Sequence, residues 1–223
     1  MGTVLTDAPP TEWTIADVQA RLRGFPARRI RIYPTPGTAT EQDVLKAEAR
    51  SDRICELIDG TLVEKTMATY ESMLALALAY FLQRYLDANN LGALAGEAGL
   101  LMILPGQIRA PDLAFIRWDR LPGRHSPKAR PPIYAIAPDL AVEVLSTGNT
   151  AHEMKRKLRD YFQAGVRLVW YIEPKIRTAR AYTGVREWTE IGPNDSLSGG
   201  EILPGFQLPL AQLFARVEGP RDE

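Results

Sequence analysis

The run Leu140-Ala141-Val142-Glu143-Val144-Leu145 constrains this chain more than any other six residues. Alternate side chains of a strand point to opposite faces, so Leu140, Val142 and Val144 share one face and Ala141, Glu143 and Leu145 the other. Both faces are largely apolar, which describes a strand covered on both sides, as in a layered α/β protein. One carboxylate stands inside it. A buried ionised acid is costly unless it is paired or holds a metal, so Glu143 is a candidate site residue. A strand-edge glutamate paired with an arginine would read the same way.

A second apolar run, Leu113-Ala114-Phe115-Ile116, opens on Pro111-Asp112. An aspartate after proline at a strand start often just satisfies loop N–H groups, so Asp112 gains its interest from combination. Strand ends adjacent in one sheet can bring Asp112 and Glu143 to a common ion, and a hard cation such as Mg2+ removes the repulsion between them. A helix should follow the Glu143 strand. Thr150 and Glu153 have capping-box spacing, Met154, Leu158, Tyr161 and Phe162 form an inward stripe, and Gly165 marks the end. Lys155 and Lys157 flank that stripe on opposite sides, whereas Arg156 points away. Either ammonium can turn toward the sheet, and a pair of surface lysines lying along a helix margin has the same spacing. Two carboxylates and a lysine make an apparatus for hydrolysing phosphodiesters with a divalent ion.

The rest of the chain divides readily. Thr14–Leu22 and Thr40–Arg50 read as short helices, with irregular backbone between them. Asp59-Gly60 predicts a tight hairpin between 53–58 and 61–65. Ala68–Ala88 has helical apolar spacing and stops near Asn89-Asn90. Strand-like runs follow at 99–104, 112–117 and 139–145, the last two separated by a Pro-rich basic arm over 121–132. Leu168–Ile172 reads as a strand, 179–182 and 185–189 as a hairpin across Thr183-Gly184, and 203–214 as a tail ending in a helical turn. Helix, three strands, helix, strand is an α/β order with a mixed sheet. The domain reading is a helical and irregular extension over residues 1–50 and one domain over 51–223.

Composition narrows the function classes. Formal net charge is zero over 223 residues, so nothing global argues for nucleic acid. Arg21, Arg23, Arg28, Arg29 and Arg31 cluster early, and Arg117, Arg120, Arg124, Lys128 and Arg130 crowd the segment between the acidic strands. Such patches can contact phosphates, but solvated loop arginines are the simpler reading of charge alone. The longest apolar helical stretch, Met73–Leu82, is too short to span a bilayer. The lone Cys55 excludes an internal disulfide and fits a reducing cytoplasm, the expected location. His125 and His152 lack zinc-site spacing with Cys55, Ser146 lacks a nucleophile elbow, and no glycine loop cradles a nucleotide. Trp13, Trp118, Trp170 and Trp188 could mark a face between two copies, although a tryptophan inside a strand, like Trp170, is expected in the core.

Taken together, Pro111-Asp112, Glu143-Val144-Leu145-Ser146, the helix with Lys157 and Tyr161, Ala164-Gly165-Val166 and Val169-Trp170 resemble the Uma-type endonuclease family of the PD-(D/E)XK superfamily. Cys55–Gly60 and Leu203-Pro204-Gly205-Phe206 are also similar to that family, so the resemblance runs from Ile54 to Phe214. It implies a restriction-endonuclease-like core, a central mixed β-sheet flanked by helices. It further implies Mg2+, or Mn2+ in its place, on Asp112 and Glu143, with Lys157 as the catalytic lysine. The superfamily's usual lysine position, two residues after the glutamate, is Leu145 here. An acid on the first core helix often joins such sites, which makes Glu71 a third metal-ligand candidate; Glu97 is a possible supporting acid. The implied substrate is double-stranded DNA, for which the basic cluster of Arg120, Arg124, Lys128 and Arg130 supplies the expected phosphate contacts, and a homodimer would suit cutting two strands. The alternative is a nuclease fold that binds nucleic acid without cleaving it.

Overall fold

The computed structural model describes residues 13–50, 53–66, 68–121 and 131–219. With elements numbered in chain order, the central sheet holds β10 (Glu187–Ile191), β9 (Thr178–Gly184), β8 (Leu168–Glu173), β7 (Leu140–Val144), β6 (Leu113–Arg117) and β3 (Gly92–Gly96), in that spatial order. β7 and β8 run parallel, while the other neighbours in this sheet are antiparallel. A parallel pair needs a crossover, and α4 (Ala151–Gln163) supplies it.

Each face of the sheet has its own apolar layer. Leu113, Phe115, Leu140, Val142, Trp170 and Ile172 pack against α3 (Thr69–Asn89) and α5 (Leu210–Glu218). Ala114, Ile116, Ala141, Val169 and Tyr171 pack against Met154, Leu158 and Tyr161 of α4. β7 is therefore covered on both sides, as its sequence demands, and Glu143 points toward α4. Trp170 is wholly buried and stacks on Phe206 at 5.9 Å, whereas Trp188 is 53% exposed. No described helix is long and apolar enough to cross a membrane.

A second sheet, β2 (Thr61–Glu64), β1 (Cys55–Ile58), β5 (Gln107–Arg109) and β4 (Leu101–Leu104), lies beside this core. Its hairpin turns on Asp59 (φ 48°) and Gly60 (φ 68°), both left-handed, as a type I′ turn requires. A Cβ on Gly60 would also fall 2.5 Å from the Gly37 carbonyl oxygen, so the passing N-terminal segment leaves no room for one. That segment contains α1 (Ile15–Arg21), capped reciprocally by Thr14 and Asp17, and α2 (Glu41–Arg50). Leu22 and Phe25 cluster with Ile58 and Val63, and Val44 with Leu57.

Charged straps tie the small sheet to α4. Arg29, from the early basic cluster, is buried and pairs with Glu153 at 2.8 Å while its Nε donates to the Glu64 carbonyl at 2.6 Å. It is no solvated loop arginine. This also changes the cap of α4: Thr150 accepts from the Glu153 N–H at 3.1 Å, and the Glu153 carboxylate turns to Arg29. Arg156 reaches the hairpin turn at Asp59, 2.6 Å away.

Several elements differ from expectation. The central sheet takes β3 as its edge strand, a Gly-Ala-Leu-Ala-Gly run with none of the β-branched or aromatic side chains that advertise a strand. A Cβ on Gly92 would sit 2.1 Å from the Ile116 carbonyl oxygen, so glycine is what lets β3 approach β6. The strand expected over 99–104 exists as β4 but belongs to the small sheet, and the three-residue β5 beside it was not anticipated. The late hairpin turns at Val185-Arg186, two residues beyond Thr183-Gly184, because Gly184 itself pairs with Glu187. The tail forms a hairpin of β11 (Ser196–Ser198) and β12 (Gln207–Pro209) before α5, a full helix whose Leu210, Leu213 and Phe214 join the core.

Candidate active site

Asp112 and Glu143 meet through strand register. β6 pairs with β7 as Leu113↔Val142 and Ala114↔Ala141, so one step further places Asp112 opposite Glu143 on the face toward α4. The Val144 N–H donates to Asp112 Oδ2 at 2.6 Å, and Asp112 N–H donates to the Val142 carbonyl at 3.0 Å. Both acids are 4% exposed.

Lys157 is the lysine that turns inward; Lys155 is exposed. The Lys157 ammonium lies 2.8 Å from Glu143 Oε1 and 3.0 Å from Glu56 Oε1, bridging two carboxylates. One turn on, the Tyr161 hydroxyl donates to Glu143 Oε1 at 2.5 Å. Burial and the adjoining Glu143 charge push the Tyr161 hydroxyl well above its usual pKa, so it stays a donor. Burial likewise raises the Glu143 carboxyl; Lys157 opposes that, and the Asp112 and Glu56 charges add to it.

Three members of the site went unrecognised in the sequence. Glu56, on β1, accepts from the Arg109 guanidinium at 2.9 Å and the Ala110 N–H at 3.1 Å. Arg109, wholly buried, also binds Asp160 of α4. Lys65, just after β2, places its ammonium 2.6 Å from Asp112 Oδ1 and donates to the Ala110 carbonyl at 2.6 Å. Glu56 carried a legible signal: Cys55-Glu56-Leu57-Ile58 is a fully buried strand with one acid, the same pattern that singled out Glu143. Lys65 carried none, since a lysine after a hairpin strand is ordinarily solvated.

The Glu56 environment has a measurable consequence. Burial disfavours its charge, but Lys157, Arg109 and the Ala110 N–H prevail and hold the carboxyl down at about 2. A depressed carboxyl stabilises the fold above its unfolded pKa and loses that contribution as pH falls through the folded value. Stability should therefore decline between about pH 4.5 and 2. Glu56→Gln should flatten that decline in denaturant titrations at stepped pH, and an unchanged slope would refute the assignment.

Two clefts flank the N-terminal end of α3. One, of about 710 Å³, is bordered by Lys65, Arg53, Thr66, Thr69, Ser72 and Glu97. The other, of about 450 Å³, is bordered by Glu71, Tyr70, Ser146, Glu173 and Lys175. Glu71 thus lines a separate cleft, and among the described residues no group of three or more His, Cys, Asp or Glu gathers as a metal site. Arg120 pairs with Asp139 at 2.9 Å and donates to the Ala137 carbonyl. Arg124, Lys128 and Arg130, with most of the basic arm, lie outside the described residues.

The family model described as "Uma2: Putative restriction endonuclease" matches residues 41–211. Among solved structures, the chain is similar to a putative nuclease belonging to DUF820 from Anabaena variabilis ATCC 29413. The TM-score is 0.66 at 18% identity, covering 75% of this chain and 93% of that one. At that identity the likeness establishes the fold. No curated protein matches.

Proposed function

The chain belongs to the Uma2 family, and from that premise we propose a cytoplasmic endonuclease that hydrolyses phosphodiester bonds in double-stranded DNA with Mg2+. One observation carries the reading: Asp112 and Glu143 stand opposite each other on one face of the sheet, with the Lys157 ammonium on Glu143. The donor set fits the ion. Mg2+ characteristically takes one or two carboxylates and fills its remaining positions with water and substrate phosphate oxygens, so two hard oxygen donors suit it. A zinc site would need histidine or cysteine beside the acids. When bound, the ion supplies Lewis-acid polarisation of the phosphodiester and an acidified water.

The chain's own groups do the rest. Asp112 is oriented by the Val144 N–H, and Glu143 by Tyr161 and Lys157. Lys157, fixed between Glu143 and Glu56, offers a preorganised positive charge to the negative charge that develops on the phosphoryl oxygens. Its own pKa is raised, because the two carboxylates outweigh the cost of burial, so it stays an ammonium and not a base.

Nicking of supercoiled plasmid tests the reading. Activity with Mg2+ or Mn2+ that chelation stops and added metal restores is the expected result; nicking indifferent to chelation overturns the metal. A second reading, a nucleic-acid-binding protein that does not cleave, draws on one observation: Asp112 is already satisfied by Lys65 and Val144. DNA binding that persists without metal, with no cleavage in Mg2+ or Mn2+, would select it.

A further inference from the structure

Resting on the metal reading above, we propose that Lys65 is a resident cation which a divalent ion displaces from Asp112, and that the freed ammonium then binds a nucleic-acid phosphate in the adjoining cleft. The argument begins with charge. Three buried acids, Glu56, Asp112 and Glu143, face three buried cations, Lys65, Lys157 and Arg109, each in a direct ion pair. With Asp160, which also binds Arg109, the cluster carries at most one excess negative charge, less than a divalent ion brings. A divalent ion placed among these groups leaves excess positive charge in a desolvated site, unless a cation departs or an anion arrives.

Lys65 is the cation free to depart. Lys157 is clasped by two carboxylates, and Arg109 is wholly enclosed between Glu56 and Asp160. Lys65 holds one carboxylate and one carbonyl, and it sits on the wall of the 710 Å³ cleft. Its ammonium lies 2.6 Å from Asp112 Oδ1, a lone-pair position a metal on Asp112 would claim. Turning out of the acid cluster brings it into the cleft. Two neighbours there suit a phosphate oxygen. Arg53, paired with Glu64 at 2.5 Å, lines the same wall, and the Thr66 hydroxyl oxygen is buried without a partner among the described residues. Exchange of metal for ammonium thus links the two ligands: metal releases a phosphate-binding group, and phosphate supplies the compensating negative charge. By linkage, metal and DNA each raise the other's affinity by the same factor.

Mn2+ affinity read by electron paramagnetic resonance tests this on the full chain, alone and with a phosphorothioate DNA duplex that resists cleavage. Lys65→Met should bind Mn2+ about tenfold or more tightly than the unaltered protein, since a charge-assisted contact no longer competes for Asp112. The gain in Mn2+ affinity that the duplex brings should shrink in the same variant. Lys65→Gln, which keeps donors for Asp112 and the Ala110 carbonyl, should shift Mn2+ affinity in the same direction. Equal or weaker Mn2+ binding by the Lys65 variants overturns the proposal. Should neither variant fold, the unaltered protein decides: an Mn2+ affinity that the duplex leaves unchanged overturns it equally. Asp112→Asn separates the two levels of the argument. If it lowers Mn2+ affinity while Lys65→Met leaves it unchanged, the metal site stands and the exchange falls. If Asp112→Asn leaves Mn2+ affinity intact, or no protein binds Mn2+, both fall.

Discussion

Arg109→Met is expected to destabilise the protein by about 3–5 kcal/mol, the cost of stripping one partner from a buried ion network. Arg109 has no solvent exposure and serves two acids on different elements, Glu56 of β1 and Asp160 of α4. Its pKa is raised because those carboxylates outweigh burial, so the charge is permanent. Methionine fills much of the volume, so lost packing is a minor part of the effect. What remains is Glu56 deep in the fold with Lys157 as its one remaining ion-pair partner, and Lys157 already shared with Glu143. The double change Arg109→Met with Glu56→Gln should recover part of the loss, because it removes the stranded charge along with its partner. Urea unfolding at neutral pH measures both. A loss below about 1 kcal/mol, within the range of exposed pairs, would show that the network is solvated in solution and would remove its claim to hold the small sheet against α4.

This network explains where sequence reasoning succeeds and where it stops. Local rules carried far: Asp59-Gly60 needs two left-handed residues, Thr14 and Asp17 cap each other, and Asn90 ends α3 with a left-handed φ of 43°. Each is decided within a few residues of chain. Glu143 was legible for a related reason, since a lone acid in a run apolar on both faces is anomalous wherever the strand sits. Asp112 depended on pairing, and β6 beside β7 in the observed register is what makes it a neighbour of Glu143. Glu56, Lys65 and Arg109 arrive from the small sheet, and no spacing along the chain encodes how that sheet docks. The choice between Lys155 and Lys157 had the same character. Both flank the inward stripe, and the surface that covers one side, β1 with Glu56, comes from about a hundred residues earlier. β3 was hidden for the opposite reason: its glycines and alanines suppress every propensity signal, yet β6 requires that thinness.

Lys157→Met should lower metal-dependent DNA cleavage by about two to three orders of magnitude, the usual effect of removing one preorganised charge from a phosphoryl or acyl site. The loss should fall on kcat and leave substrate binding nearly intact, because the ammonium is enclosed by Glu143 and Glu56 and is offered to charge that grows only in the transition state. Lys155→Met is the matched control. It removes the same charge from an exposed position two residues away and should change the rate by no more than about twofold. Circular dichroism and melting must accompany the assay, since Lys157→Met also leaves two buried acids closer to mutual repulsion. Lys157→Gln tests that point, keeping a donor for Glu143 without the charge. If the glutamine variant folds normally yet stays slow, charge is what the reaction needs. If it cleaves as the unaltered protein does, Lys157 serves architecture alone, and Lys65, the ammonium on Asp112, becomes the group the chemistry uses.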